Sequence, residues 1–594
     1  MRPTKRLIAL GLATALLAAC GHKDKDAPLA FVPADTPYVF ANIEAPSDDV
    51  RAAAYSQWNL QLPGQVAQLK TLADSQEQVG HSNNANLLRA LVKELDGKKA
   101  EDVVTTLGMD PKGKMAFYGM GLAPVLRADL ADPKAFDAFV DRMEAAYGQK
   151  FDVAKVGDQS YRRAVSAESG TEVVLAVVGK QLVATLLASD TTEPQLRQAL
   201  GLDRPEKNLQ DDGRLEKIAK DKGYEKFAVG AVDIAHLLPL MASGKDPLFA
   251  AMVRQKMQAD AAKTGEPVSA QANPFPPSCE ADATRIAARF PSASFGYTRI
   301  DPTHQETRFD IALAPDITQA FSGLEVEVPG LGKDSDTPFD FALALPVKQV
   351  REFWTAQADA VTAKPFQCPA LAGLNEAFGK VGPAMQQAAI PPFGDLRGIR
   401  IALDTFTMPP ADKAGQIPSI TGRILIATSN PAGLVAMGSA VMPALAQVKL
   451  TPDGKPVALP ADMTAMAGGP GFAAMTDKAV AIGIGAGQDA KLGDMLKDTI
   501  GDKGRQMRVH LNGDMYRTWI DLMADKADAM SAAGAGIDPT ADPATAEKAR
   551  ADAAARSKAQ FDTMRAQAQR IVQLSGDVLV DSNGLVITSK AETK

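Results

Sequence analysis

The stretch ADTPYVFA at residues 34–41 returns near the middle of the chain as SDTPFDFA at residues 335–342. In each copy Asp-Thr-Pro stands before a run in which aromatic residues alternate with other types. Proline fixes its own φ and biases the preceding residue toward extended backbone, so both copies predict a turn that leads into a strand. We therefore expect the chain to be organised around this recurrence.

Other landmarks return at nearly the same spacing. Pro133 is matched by Pro431, each after a strand pattern and before a helical one, and Gly201 is matched by Gly501 at the end of a helical pattern. Strand pairs joined by short turns alternate with helices throughout, which is typical of α+β folds with antiparallel sheets. The recurrence predicts two tandem similar halves, each with an antiparallel sheet packed against helices.

The predicted organisation has four parts. They are a signal peptide at residues 1–19, a lipidated cysteine and tether at residues 20–34, a first half at residues 35–333 and a second half at residues 334–594. Two short turns, Gly179-Lys180 and Asn583-Gly584, predict hairpins within the halves. Residues 544–574 predict one long helix near the end of the second half.

The start of the chain reads as a secretory signal peptide, because basic residues precede an apolar run over residues 7–19 that is too short to span a bilayer. The sequence Leu17-Ala18-Ala19-Cys20 at its end resembles the lipobox of bacterial lipoproteins. That resemblance implies cleavage before Cys20, a diacylglyceryl thioether on its sulfur and an acylated amino group. Three acyl chains would anchor the protein stably in a membrane. The alternative is an ordinary secreted protein with a chance cysteine.

The residue after the cysteine indicates in which membrane a lipoprotein of this kind resides. In Gram-negative lipoproteins an aspartate there is the usual signal for retention in the inner membrane, whereas this chain has Gly21. The resemblance therefore implies the outer membrane, with the protein facing the periplasm. The stretch PADTP at residues 33–37 also resembles a loosely defined family of bacterial envelope proteins of unknown function, from which no site residue can be transferred.

Composition narrows the range of partners. The chain has 594 residues and a net charge of −7, and its apolar and charged fractions, 46% and 23%, are those of ordinary globular proteins. A mildly acidic chain lacks the clustered Lys and Arg that nucleic acid requires, so we expect no nucleic-acid partner. Membrane lipid is expected to be reached through the acylated Cys20 and not through charge.

Two cysteines remain beyond the lipobox, Cys279 and Cys368, in similar Pro-Phe surroundings. Exported proteins meet an oxidising compartment, so the sequence predicts a disulfide between them. Because Cys279 lies late in the first half and Cys368 early in the second, the bond would cross the boundary between the halves. The alternative is a pair of free thiols.

No stretch predicts a catalytic, cofactor or metal site. Residues 483–487, GIGAG, follow a strand pattern and precede a helix, but their spacing does not fit the dinucleotide fingerprint. The five histidines show no metal-ligand spacing, and Glu325 and Glu327 are placed to mark the solvent face of a strand. Several methionines between residues 437 and 475 suit either a core or an adaptable apolar groove.

These observations favour a non-enzymatic envelope lipoprotein that binds or scaffolds an envelope protein partner. One alternative is a carrier of a lipid or another apolar ligand, and a second is a periplasmic hydrolase. A deep apolar pocket would favour the carrier, and a cleft with convergent carboxylates or a Ser-His pair would favour the hydrolase. A broad exposed apolar surface would favour the scaffold.

Overall fold

The computed structural model describes residues 24–594 apart from 79, 167–168, 265–274, 323, 325–326, 333, 389, 408–418, 465–468, 501–502 and 533–542. Residues 1–23, which include the predicted signal peptide and Cys20, lie outside the described residues. The predicted fold class is confirmed, because the chain combines many helices with a large antiparallel sheet.

The described strands form one continuous 19-stranded sheet. Their bounds are β1 Tyr38–Ala41, β2 Met115–Met120, β3 Ala123–Asp129, β4 Asp152–Val156, β5 Gln159–Ser166, β6 Thr171–Val178, β7 Gln181–Ala188, β8 Val229–Asp233, β9 Ser292–Ile300, β10 His304–Ala312, β11 Phe339–Ala344, β12 Leu396–Thr407, β13 Ser419–Thr428, β14 Val457–Ala458, β15 Gly471–Met475, β16 Ala479–Ile484, β17 Arg505–Asn512, β18 Ile571–Val580 and β19 Gly584–Thr593.

For description, residues 35–333 are called the first half and residues 334–594 the second half, and the strand pairings place them side by side. From edge to edge the order is β4-β5-β6-β7-β3-β2-β1-β8-β9-β10, then β19-β18-β17-β11-β12-β13-β16-β15-β14. The halves join where β10 pairs with β19, with Arg308 opposite Thr588. On either side of this junction the order is alike: β1 lies between β2 and β8, and β11 lies between β12 and β17.

Helices fill the connections between strands. Their bounds are α1 Asp48–Gln78, α2 Ser82–Leu95, α3 Ala100–Thr106, α4 Pro133–Tyr147, α5 Glu193–Leu200, α6 Leu209–Asp212, α7 Arg214–Lys222, α8 Ile234–Ser243, α9 Pro247–Thr264, α10 Pro277–Ala287, α11 Pro315–Ser322, α12 Val347–Ala363, α13 Ala372–Ala388, α14 Pro431–Val441, α15 Ala461–Thr464, α16 Gln488–Lys497, α17 Gly513–Ala532 and α18 Pro543–Ala568. Short 3-10 helices cover Pro28–Phe31, Pro369–Leu371, Phe393–Asp395 and Pro443–Gln447.

Local chemistry accounts for many of these boundaries. The Asp132 carboxylate accepts hydrogen bonds from the backbone of Lys134 and Ala135, which caps α4 behind Pro133. Gly148 ends the same helix at φ 80°, a conformation that glycine adopts without steric cost. Both predicted hairpins are confirmed, since β6 pairs with β7 and β18 pairs with β19 directly across their turns.

Each half has a core on the same face of the sheet. In the first half Val39, Tyr118 and Val125 belong to a buried cluster that α5 and α7 complete. In the second half Leu425 belongs to a cluster with Leu492 of α16. The aromatic residues of the opening strands, such as Phe40 and Phe341, point to the other face and are half-buried.

Two local predictions differ from the structure. The long helix expected over residues 544–574 ends at Ala568, and Ile571 already belongs to β18, because the chain must pair along β17 and β19 there. The expected tether does not extend to residue 34. Leu29 and Val32 are instead part of the first core, because the apolar run over residues 28–32 gains more by burial than by exposure.

Candidate functional site

Helix α4 of the first half is packed closely onto the sheet. Phe136, Val140 and Met143 are buried, and the first two form a separate core cluster with Leu182 of β7 and Leu130. Most polar residues of the helix lie on its outer side, as expected of an amphipathic helix at the surface of a globular protein, and the buried Glu144 accepts from Arg162 Nη1 at 3.1 Å. It provides the reference for its counterpart in the second half.

Helix α14 follows β13 as α4 follows β3, and each begins with a proline behind a capping side chain. Within α14, all of which is described, only Pro431 is buried. Counted from the leading proline, Val441 stands where α4 has Met143. Val441 is 82% exposed, whereas Met143 is 8% exposed. The two helices therefore have the same place in the chain but opposite burial.

The sheet beside α14 is also open. Ile424 of β13 pairs with Ile482 of β16, as Leu126 of β3 pairs with Ala184 of β7 in the first half. Ile424 and Ile482 are 42% and 37% exposed, while the first-half pair is half-buried. We call Ile424, Ile482, Val441 and Met442, which is 48% exposed, the open apolar surface.

The sequence that contains α14 has no charged residues that would favour its exposure to solvent. From residue 424 to residue 448 the sequence contains no Asp, Glu, Lys or Arg. A helix that is apolar on all sides is normally buried, and an exposed apolar surface rimmed by polar residues marks an interaction site. The composition of α14 thus fits a helix that is covered in its working state.

In the first half, the helix α2 covers α4. Helix α2 packs along α4, with Ala85 and Val92 buried and with Arg142 Nε donating to Glu94 Oε1 at 2.7 Å. In the second half α13 stands at the corresponding point in chain order, but it packs against α12. The helix that covers α4 therefore has no equivalent packed in the same way on α14.

The segment after α14 folds back on it at one point. A Cβ atom on Gly438 would come within 2.9 Å of Leu445 Cδ2, so the absence of a side chain there lets the 3-10 helix Pro443–Gln447 approach. The first half has Val140 at this place. The close approach fixes the C-terminal end of α14 and leaves Val441 and Met442 projecting beyond it.

A cavity of about 380 Å³ lies at the junction of the halves, beside β8, β9, β10 and the turn before β19. Its volume is within the range of small-molecule sites, and its accessible wall is more apolar than polar. Five charged residues line it: Arg214, Lys222, Asp233, Asp310 and Asp581. A ligand in this cavity would therefore contact apolar surface and lie beside these charged side chains.

The buried carboxylate of Asp310, which lines this cavity, already accepts hydrogen bonds from three neighbouring side chains. Asp310 accepts bonds from Arg308 Nε and Nη2 at 2.8 Å each, from Lys222 Nζ at 2.9 Å and from Tyr224 Oη at 2.6 Å. Burial raises the pKa of Asp310, but these bonds outweigh it and hold the pKa below its ordinary value. Burial and the bond to Asp310 raise the pKa of Tyr224, so its hydroxyl stays protonated and donates. Asp310 is thus a fixed anion and not a proton acceptor.

A second ionic cluster lies inside the other half. Asp340 is fully buried and accepts from Arg400 Nε at 3.1 Å and from Nη2 at 2.7 Å. Arg508 Nη2 lies 3.0 Å from Asp340 Oδ1 as an ion pair, while Arg400 Nη1 reaches Asp498 at 2.8 Å. Burial raises the pKa of Asp340, and the two arginines reverse that effect and lower it overall. This cluster replaces apolar contacts that the first core uses.

The structure brings Cys279 and Cys368 together as a disulfide, with Cα atoms 4.5 Å apart. This separation lies within the range that a disulfide requires. Asp282 Oδ2 accepts from the backbone nitrogens of Gln367 and Cys368 at 2.6 and 2.8 Å, which holds the same two segments together. Cys279 and Cys368 lie on opposite sides of residue 333, so the bond connects the two sequence ranges.

The other residues singled out in the sequence are scattered. Cys20 and His22 lie outside the described residues, as does Glu325, while Glu327 pairs with Lys478 at 2.6 Å. Across the described ranges, no group of three or more His, Cys, Asp or Glu side chains is placed to hold a metal ion. The glycine run after β16 turns the chain into α16, with Gly487 at its start at φ 76°.

Sequence reasoning missed both the ionic cluster and the open apolar surface. Asp340 occupies the position of Val39 in the first copy of the recurrence, so comparing the copies residue by residue would have marked it. The same comparison would have set PAGLVAMGSAV of α14 against PKAFDAFVDRM of α4. The loss of every charge in the second helix was the available indication.

Comparison of the chain with protein-family models, curated proteins and solved structures finds no match. Among the helices in the described ranges, none combines the length and apolar character that a membrane span requires.

Proposed function

We propose that this protein is a lipid-anchored envelope protein, on the periplasmic side of the outer membrane, that binds a partner protein through the open apolar surface. The observation that carries the proposal is the 82% exposure of Val441 in an uncharged helix whose first-half counterpart is buried. The role is binding or scaffolding and not catalysis.

The partner that fits this surface is an amphipathic helix. The first half supplies the template, since α2 covers α4 with a buried stripe and an outer ion pair. A partner helix would insert apolar residues spaced i, i+3, i+4 and i+7 against Val441, Met442 and the exposed isoleucines. With α14 uncharged, the partner's polar residues would remain on its far side.

The carrier alternative receives less support from the cavity at the junction. Lys222, Asp310 and three further charged side chains line it, and Asp310 is bound by its own neighbours. A lipid tail in that space would desolvate these charges without replacing their partners, which is unfavourable. The open apolar surface is exposed to solvent and is not enclosed, which suits a partner with its own fold.

Membrane attachment would come from acylation of Cys20. Cys20→Ser should abolish incorporation of labelled palmitate and release the protein from membranes. Normal lipid labelling of this variant would refute the anchor while leaving the partner surface to be judged separately.

The partner surface is tested by Val441→Asp, which places a charge where the helix would dock. The matched control is Val153→Asp, because Val153 is also highly exposed, at 72%, but lies on β4 of the first half. We expect Val441→Asp to lower co-purification of the partner from envelopes at least tenfold, and the control to leave it unchanged. If both variants keep the unfolding transition of the wild type and lower co-purification of the partner equally, the proposal is contradicted.

A further inference from the structure

The first described residues are fixed on the body of the protein. Ala27 through Val32 are buried, and Val32 is fully inaccessible. The ring of Phe31 lies between two guanidinium groups, with Arg127 Cζ at 4.0 Å and Arg204 Cζ at 4.5 Å from its centroid. Cation–π contacts of this kind add to the hydrophobic anchoring of the segment.

Hydrogen bonds extend this fixation to Asp24. Gln210 Nε2 donates to the Asp24 carbonyl at 3.0 Å, and Gln181 Nε2 donates to the Asp26 carbonyl at 2.7 Å. Arg204 Nη2 also pairs with Asp26 Oδ1 at 2.6 Å. The chain is therefore held from Asp24 onward and cannot serve as a long linker beyond that point.

We infer that a lipid bilayer surface lies directly against the loop at residues 203–212, which is next to Asp24. The inference rests on the proposed acylation of Cys20. Between Cys20 and Asp24 the chain can extend at most about 14 Å, since each residue spans no more than about 3.6 Å. With the acyl chains in the hydrocarbon, Asp24 and its neighbours must remain at the level of the lipid headgroups or just above them.

The chemistry of this loop fits headgroups that carry both charges. The exposed residues of the loop include Arg204 and Lys207 as well as Glu206, Asp211 and Asp212. Mixed signs give no general attraction to anionic lipid, so the anchor and not the net charge would hold the loop at the surface. The matching surface is a bilayer rich in zwitterionic phospholipid, whose phosphate and ammonium groups meet side chains of either sign.

The test uses the full lipidated chain in vesicles of phosphatidylethanolamine and phosphatidylglycerol that contain a headgroup-attached acceptor dye. A donor dye is placed on Glu206→Cys or, as a control, on Lys455→Cys, which lies beside β14 at the far edge of the sheet. The native thiols do not react, because Cys279 and Cys368 are bonded and Cys20 would be acylated. We expect energy transfer several-fold stronger at position 206 than at position 455.

A flexible insertion of 20 Gly and Ser residues after His22 tests whether the short chain between Cys20 and Asp24 is what holds position 206 near the bilayer. Such a linker spans roughly 25 Å on average, so transfer at position 206 should fall toward the control value. Equal transfer at both positions in protein that mass spectrometry shows to be acylated would overturn the bilayer contact while leaving the anchor intact. Absence of acylation would overturn both the anchor and the contact.

Discussion

Asp340 places a full negative charge in the interior at a point where the first half has Val39. Its neighbours in the sheet, Arg400 on β12 and Arg508 on β17, supply the balancing charge. Buried ion pairs add little net stability compared with apolar residues, but removal of one member leaves the others without a partner. Arg508 is sensitive in this respect, because its Nε and Nη1 have no hydrogen-bond partner within the described residues.

Asp340→Ala should therefore destabilise the protein by roughly 3 to 5 kcal/mol, the range observed when a buried pair is broken. Unfolding in urea at neutral pH measures the loss. The control is Asp453→Ala, which removes a surface pair with Lys455 and the turn bonds from Thr451 and the Lys455 backbone, and should have a much smaller effect. Similar midpoints for wild type and Asp340→Ala would show that the cluster contributes nothing to the fold.

Asp310 predicts a dependence of stability on pH. Because its pKa is lower in the folded protein than in the unfolded chain, its contribution is fully present above the unfolded value of about 3.9 and is lost as the pH falls through the folded value. Asp310→Asn should be less stable than wild type at pH 7. The difference between the two proteins should shrink below about pH 4, where the carboxylate becomes protonated in the unfolded state. A constant difference from pH 7 to pH 3 would contradict the assigned role.

For single residues, the alternating pattern predicts the strands but does not predict which face of each strand is buried. The alternation in residues 38–41 and 339–342 predicts extended structure, yet the small and charged residues face the cores while Phe40 and Phe341 are half-buried on the other side. Apolar residues occur on both faces of these strands, so the period of two cannot decide between them. The burial of Asp340 depends on arginines far away in the chain, which no local pattern contains.

Among the elements, α10 provides the covalent link between the halves. It contains Cys279, and Arg285 Nη1 of the same helix donates to the Lys364 carbonyl at 2.6 Å near Cys368. The pairing itself was predictable from the cysteine count and the predicted export signal. The position of Cys279 on a helix that contacts the second half was not predictable. The sequence places the boundary between the halves but not the contacts across it.

Reduction of this disulfide should lower stability by about 4 to 5 kcal/mol on the chain-entropy account for a loop of this length. Chemical unfolding with and without reductant measures the effect, and non-reducing peptide mapping should recover one linked pair. The double variant Cys279→Ser, Cys368→Ser is the control, since its unfolding should not respond to reductant. Two free thiols in protein isolated from the periplasm would exclude the bond.

For the whole molecule, the strand order suggests a duplication, and the superposition that would establish it stays a prediction. An experimental structure should align Phe40 with Phe341 and Pro133 with Pro431 when the halves are overlaid. Gly201 caps α5, and its expected partner Gly501 lies outside the described residues. If these pairs fall on unrelated elements after superposition, the recurrence in the sequence has no structural meaning.

The sequence patterns predicted the α+β class with antiparallel strands because turn chemistry and strand patterns are local. How the halves join at β10 and β19, and which helix remains uncovered, depends on packing between distant segments. The amphipathic pattern of α4 is absent from α14. That difference is the feature from which the proposed function was derived.

The most direct test of the proposed function is site-specific photocrosslinking at Val441 of the lipid-anchored chain in intact envelopes. The account predicts a light-dependent adduct with one protein, at a peptide whose apolar residues recur at i, i+3, i+4 and i+7, and no such adduct from a crosslinker at Val153. Adducts with lipid alone, adducts with a second copy of this chain, or equal adducts from both positions would contradict it.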